Sequence, residues 1–212
     1  MLIGRLLIAA VFGYLVGSFP TGVLVTRLLG KPDLRLSGSG HTGGLNVYRL
    51  AGLAWGVFTM LVDVSKGVLA AWVALRLTGT PWALPAAGMG AVAGHCWSAY
   101  GGRTRFGLAG GMGLSTLGGL LLWQQPLAVP IAVALWGLGY LLLRNSRSAE
   151  RSRRSPRAVM LMTVLMVPVF WLLGNFGHAS PPAVALGIGG VGVIFVRHFT
   201  QLRGYDQRVA AE

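Results

Sequence analysis

Charge is scarce in this chain and acid scarcer still: 11% of its 212 residues are Asp, Glu, Lys or Arg, and only five are acidic. A soluble globular domain carries roughly 25% charged residues, so the composition excludes an ordinary soluble fold. Cys96 is the single cysteine, which excludes an internal disulfide. Histidine and cysteine show no zinc spacing, and no cofactor is expected. Asp33 and Asp63 are the only carboxylates near the apolar segments of the first half, which leaves a glycosidase pair unsupported. No Walker A pattern and no nucleophile elbow is present, since Gly38-Ser39-Gly40 fits neither. No repeat of fixed period is found.

Apolar residues make up 54% of the chain, and they fall in runs of about twenty residues, the thickness of a hydrocarbon layer. The chain is read as an all-α integral membrane protein, one domain over 1–212. Seven spans are expected, near Leu2–Leu29, Ala51–Leu77, Trp82–Tyr100, Phe106–Trp123, Leu127–Leu143, Ala158–Leu173 and Pro181–Val196. The first run follows Arg5 but leads into a polar motif without an A-x-A pattern, so it is taken as a retained span and not a signal peptide.

The net charge of +13 does not point to nucleic acid, because the basic residues are scattered between apolar runs and not interleaved with aromatics on one face. Fifteen of the eighteen basic residues fall in alternate connections or after the last span; the connections between them carry none. By the positive-inside rule the N-terminus is outside and the C-terminus cytoplasmic. The Ser- and Arg-rich segment Arg144 to Arg157 reads as a flexible cytoplasmic loop beside anionic headgroups. Arginine dominates the basic set, and its planar fork also suits phosphate.

Between the first two apolar runs lies a polar, glycine-rich loop of about twenty residues, longer than a mere connection requires. Ser37-Gly38-Ser39-Gly40 lets backbone amides approach an anion closely. Arg35 and Arg49 supply fixed charge. A second cluster comprises His95, Arg103, Arg105 and the glycines Gly110, Gly111 and Gly113, which open an apolar run and can expose amides at a helix N-terminus. Asp63 and Lys66 stand three residues apart inside an apolar span, on one helical face. They are either a functional site or an ion pair, and the pair is favoured as a support of the polar loop. His41 and His198 join the candidates because the topology puts them on the same side.

Three stretches carry a family resemblance. Gly17-Ser18-x-Pro20-Thr21-Gly22, then Asp33-Leu34-Arg35 with Ser37-Gly38-Ser39-Gly40, Asn46-Val47-x-Arg49 and Asp63-x-x-Lys66-Gly67 form the first. Gly94-His95-x-Trp97 with Gly110-Gly111-x-Gly113-x-x-Thr116 is the second, and Arg197-His198 the start of the third. Together they resemble the signatures of the bacterial acyl-phosphate:glycerol-3-phosphate acyltransferases. The resemblance implies a multi-pass protein of the bacterial cytoplasmic membrane. Such a protein transfers a fatty acyl group from acyl phosphate to the 1-hydroxyl of glycerol 3-phosphate, making lysophosphatidic acid for phospholipid biosynthesis. It implies catalytic roles for Ser39, Arg49 and His95. Arg35, Ser37, Gly40, His41, Asn46, Arg103, Arg105, Gly110, Gly111, Gly113, Arg197 and His198 would bind substrate or phosphate. Partners are then the two substrates and membrane lipid.

The sequence departs from that pattern where the family has Lys-Gly-Gly-Lys-Gly, since Ala109-Gly110-Gly111-Met112-Gly113 lacks both lysines. His41 stands in place of an Asn, and Phe199-Thr200-Gln201-Leu202 does not continue the third signature. Arg103 and Arg105 are candidates to restore the missing charge. Two alternatives stay open: a weakened paralogue that binds acyl or phosphate groups, and a small transporter using Asp63 and Lys66.

Overall fold

The computed structural model describes residues 1–104, 107–143 and 154–209. Arg105 and most of the Ser- and Arg-rich segment, residues 144–153, lie outside them. The described elements are α1 Leu2–Gly17, α2 Thr21–Leu28, α3 Gly44–Ala51, α4 Leu53–Thr78, α5 Ala83–Cys96, α6 Leu114–Gln124, α7 Ala128–Leu142, α8 Arg154–Asn175 and α9 Pro181–Val209. Strands β1 Arg103–Thr104 and β2 Gly107–Leu108 form a small antiparallel pair between α5 and α6. The helices group into two compact units, Met1–Leu120 and Leu121–Glu212.

Among the described residues four segments are long and apolar enough to cross a membrane: Leu2–Leu28, Leu53–Thr78, Pro156–Asn175 and Pro181–Leu202. The expected spans Trp82–Tyr100 and Phe106–Trp123 hold shorter helices, α5 with 14 residues and α6 with 11. α5 stops at Cys96, where Trp97 leaves helical geometry (φ −134°, ψ 76°), and Gly107 and Gly113, with φ of 99° and 83°, keep the chain before Leu114 out of a helix. The first run is likewise divided. Pro20 has no N–H and separates α1 from α2. In an unbroken helix the Ser18 and Phe19 carbonyls would be bonded from Gly22 and Val23. Here the Ser18 carbonyl is bonded by Ser98 Oγ, and that of Phe19 by Lys66 Nζ together with the Thr21 N–H (3.0 Å).

The first unit is turned inside out relative to a soluble domain. On α4 the buried positions are Thr59, Asp63, Lys66, Gly67, Ala70, Ala71 and Ala74, while Leu61, Leu69 and Trp72 are exposed. Leu7, Ile8 and Val11 of α1 are exposed as well. Lipid tails are as apolar as leucine, so burying leucine drives nothing; close backbone approach through small residues does. Along α1 and α5 this is explicit. A Cβ on Gly13 or Gly17 would overlap the carbonyls of Ala87 and Ala91, and one on Gly90 or Gly94 those of Ala10 and Tyr14. The two helices therefore run parallel with their backbones in contact. At the far end from the polar loops, Arg5 donates to the Thr78 carbonyl (3.2 Å) and Arg76 lies over Trp72.

The second unit packs α8 against α7 and α9. Met166 and Phe170 of α8 and Leu186 and Ile194 of α9 are fully buried. Buried Gln125 donates to the Ala183 carbonyl, fixing the start of α9 to the turn before α7.

Candidate active site

The first polar loop begins where α2 stops. Gly30 (φ 62°) turns the chain, its N–H reaching the Arg27 carbonyl (3.1 Å) while Lys31 N–H reaches that of Thr26 (2.9 Å). This is the double bond pattern of a Schellman stop, and it takes up the Thr26 and Arg27 carbonyls. Beyond it, Asp33 and Arg35 form a two-pronged ion pair, with Nη2 2.6 Å and Nε 2.9 Å from the carboxylate oxygens. Arg35 Nη1 also donates to the Gly101 carbonyl (3.0 Å), and Thr42 N–H donates to that of Gly110 (3.2 Å). The two polar loops that the sequence sets 60 residues and more apart are thus stitched together at two points.

Asn46, at the start of α3, is the hub of the first loop. Its Nδ2 lies 3.2, 3.0 and 3.0 Å from the carbonyls of Leu34, Ser37 and His41, and its Oδ1 accepts from Ser39 N–H. Buried and fully used by backbone, it shapes the loop. Ser37 is also turned inward, its hydroxyl donating to the Asp33 carbonyl (2.9 Å). Gly40 closes the turn with N–H to the Ser37 carbonyl (3.0 Å).

What remains available is distinct. The Ser39 hydroxyl is exposed with no partner, and so is Arg49 in the last turn of α3, which makes no hydrogen bond or ion pair among the described residues. Arg103 on β1 is exposed. Arg27, Lys31, Asp33 and Arg35 line a cavity of about 390 Å³ beside α2. The fixed charge that faces outward therefore belongs to Arg27, Lys31, Arg49 and Arg103, whereas that of Arg35 is balanced by Asp33.

The second loop is held by two serines, Ser18 and Ser98. Ser98 Oγ donates to the Ser18 carbonyl and accepts from Gly101 N–H (2.8 Å); Ser18 Oγ accepts from Ala99 N–H (3.1 Å). Tyr14 donates to the Trp97 carbonyl (2.7 Å). Ser18 stood in the first signature and was legible there; Ser98 had no signal. Gly110 and Gly111 lie against His95 and Cys96. Gly111 N–H donates to the His95 carbonyl (2.8 Å), and a Cβ on Gly111 would overlap the His95 ring. Gly113 accepts from Leu117 N–H (2.9 Å) and opens α6. His95 is buried, with Nδ1 3.6 Å from Asp63 Oδ1.

Ser39, Arg49, His95, Arg35, Ser37, Gly40, His41, Asn46, Arg103, Gly110, Gly111 and Gly113 all fall in the first unit. Arg197 and His198 fall on α9 in the second, both buried, with His198 Nδ1–H donating to the Ile194 carbonyl (2.9 Å).

The Asp33–Arg35 pair gives a pH signature. Hydrogen bonding from Arg35 holds the Asp33 carboxyl below its ordinary value of 3.8. With the folded value depressed, the pair's stabilisation is complete above the ordinary value and is lost as pH falls through the folded one. Limited proteolysis of the loop 30–43 should therefore accelerate as pH drops below about 4. In Asp33→Asn cleavage should already be fast at pH 7 and change little on acidification; equal resistance of the two proteins at pH 7 would show that the pair does not hold the loop.

Fold and site together define a multi-pass helical membrane protein with two stitched polar loops and outward-facing guanidinium groups. The chain matches the glycerol-3-phosphate acyltransferase family over residues 7–205 and belongs to it. Among its relatives, the glycerol-3-phosphate acyltransferase of Pseudomonas fluorescens is 36% identical over 176 residues, 76% of this chain and 88% of that protein. That of Rubrobacter xylanophilus is 37% identical over 186 residues, 88% and 84% of the two chains. A crystal structure of PlsY (YgiH), an integral membrane glycerol 3-phosphate acyltransferase, in its glycerol 3-phosphate form, superposes with a TM-score of 0.66 at 27% identity, covering 97% of this chain and 92% of that one. Its lysophosphatidic acid form gives the same TM-score at 25% identity.

Proposed function

We propose that the protein is a glycerol-3-phosphate acyltransferase that takes its acyl group from acyl phosphate. The 1-hydroxyl oxygen of glycerol 3-phosphate attacks the acyl carbonyl carbon, the bond from that carbon to the phosphate oxygen breaks, and lysophosphatidic acid and inorganic phosphate leave. The hydroxyl proton goes to a phosphate oxygen of the substrates, so no side-chain base is needed. Acyl phosphate is already activated, and the protein's task is to align two anions and stabilise the oxyanion. The observation that carries this reading is that Ser39 and Arg49 are both exposed, beside a loop whose Asp33, Arg35, Ser37 and Asn46 side chains are bound internally. The glycerol 3-phosphate and lysophosphatidic acid forms of PlsY lend it support.

Where the family has its first lysine, Ala109 is 1% exposed and its N–H is bonded to the Gly102 carbonyl. That position is occupied by packing, and we assign the replacement charge to Arg103, with Arg105 beside it in sequence. The binding-only reading draws on the same absence. Purified protein should release phosphate from acyl phosphate only when glycerol 3-phosphate is added, and should form lysophosphatidic acid in equal amount. Binding without turnover would leave the binding-only reading, and solute flux in liposomes without acyl transfer would leave the transporter.

We read 1–212 as one membrane-embedded domain of the bacterial cytoplasmic membrane with seven crossings, N-terminus outside and C-terminus cytoplasmic. The charge distribution supports this, and α5, α6 and α7 are short crossings of a kind that bilayer thinning accommodates. Reporter fusions placing the first loop and segment 144–157 on opposite sides would overturn it.

A further inference from the structure

One group of side chains has no part in the mechanism above, although it is the most polar point inside the first unit. Asp63 and Lys66 of α4 are 2% and 6% exposed. Lys66 Nζ lies 2.8 Å from Asp63 Oδ1 and 3.2 Å from the Phe19 carbonyl, at the break between α1 and α2. Asp63 Oδ1 also faces His95 Nδ1 at 3.6 Å, an electrostatic contact longer than a hydrogen bond. One turn beyond, Thr116 of α6 donates to the Asp63 carbonyl (3.0 Å), and a Cβ on Gly67 would press on the Thr116 methyl at 2.7 Å. Lys66 and the His95 ring of α5 meet at the carboxylate itself, while α6 holds the backbone of the same residue.

His95 is the path from that carboxylate to the second loop. One ring nitrogen faces Asp63. The other is where a Cβ of Gly111 would intrude, and the His95 carbonyl holds the Gly111 amide. The neighbouring Gly110 carbonyl in turn receives Thr42 of the first loop. A rotated imidazole would displace Gly111 and, through Gly110, the stitch between the loops.

We propose that Asp63 is a positioning residue: it fixes the His95 ring and thereby the backbone of 109–113, while Lys66 serves to neutralise it and to anchor it at the Phe19 carbonyl. The proposal deepens the acyltransferase reading and rests on it for its activity readout. A charge pair that merely locked helices would behave otherwise, because removing both charges together would restore neutrality and function alike.

The test uses the full chain in nanodiscs, comparing Lys66→Met with the double variant Asp63→Asn/Lys66→Met, which buries no charge from the pair. Hydrogen exchange of the backbone amides in 109–113 should quicken at least about tenfold in the double variant and remain near wild type in Lys66→Met. Acyl transfer should fall by about tenfold or more in the double variant relative to Lys66→Met at matched thermal stability. Where Lys66→Met alone does not insert, wild type is the reference. Unchanged exchange in 109–113, or wild-type turnover in the double variant, overturns the proposal. A wild-type protein that makes no lysophosphatidic acid overturns the acyltransferase reading instead, and the exchange measurement still decides the role of Asp63.

Discussion

Arg49→Ala should abolish acyl transfer while leaving the protein in the membrane at its normal level. Arg49 is exposed and has no partner among the described residues, so its removal costs the fold little. A guanidinium on a phosphate makes charge-assisted bonds worth about 1.5–3 kcal/mol each. Losing two of them corresponds to at least about a hundredfold in kcat/KM. Arg49→Lys keeps the charge and loses the fork, and should retain about a tenth of the activity. Arg151→Ala, in the Ser- and Arg-rich segment, is the control: its neighbours carry the same topological charge, so turnover should be unchanged. Acyl transfer at matched membrane levels checks all three. Equal damage from Arg151→Ala and Arg49→Ala would mean that these residues act only through topology or lipid attraction.

The second large effect is on stability and comes from α1. Gly17→Leu places a side chain where the Ala91 carbonyl stands, and the obstacle is backbone that no rotamer change can move. Overpacking a close contact costs about 1–3 kcal/mol, and a backbone clash between two helices belongs at or above the top of that range. The variant should give little folded protein. Gly4→Leu, on the same helix with nothing within 4 Å of its Cβ, should melt like wild type. Thermal unfolding in one detergent compares the pair. Equal melting points would show that α1 and α5 do not meet through these glycines.

These two residues also mark what could be read from sequence. Arg49 could be named as a candidate, because a guanidinium after a glycine-rich loop stands within a family signature, and the structure leaves it exposed. Nothing in the sequence says that Gly13 and Gly17 meet Ala87 and Ala91 of α5. Asn46 shows a different gap. A polar side chain in a ligand-binding signature reads as a ligand contact, yet its amide is taken up by Leu34, Ser37 and His41. Sequence gives donor capacity without saying which backbone carbonyls will compete for it. The short α5 and α6 were missed for a related reason: hydropathy averages over a window, while the chain between Cys96 and Leu114 leaves helical geometry at single residues such as Trp97, Gly107 and Gly113. The favoured reading of Asp63 and Lys66 as an ion pair agrees with the geometry, and its contact with His95 required three dimensions.

The division of the first apolar run at Pro20 bears on the order in which the chain is made. The break releases the carbonyls of Ser18 and Phe19 from α1, and the donors that take them up come 80 and 47 residues later. When the first hydrophobic segment leaves the ribosome, neither donor exists. Phe19, whose carbonyl takes the Thr21 N–H locally, waits for its second donor on Lys66, and Ser18 waits for Ser98, so the segment cannot reach its final hydrogen bonding in lipid until most of the first unit has been synthesised. The earliest part of the protein to be translated is among the last to be completed.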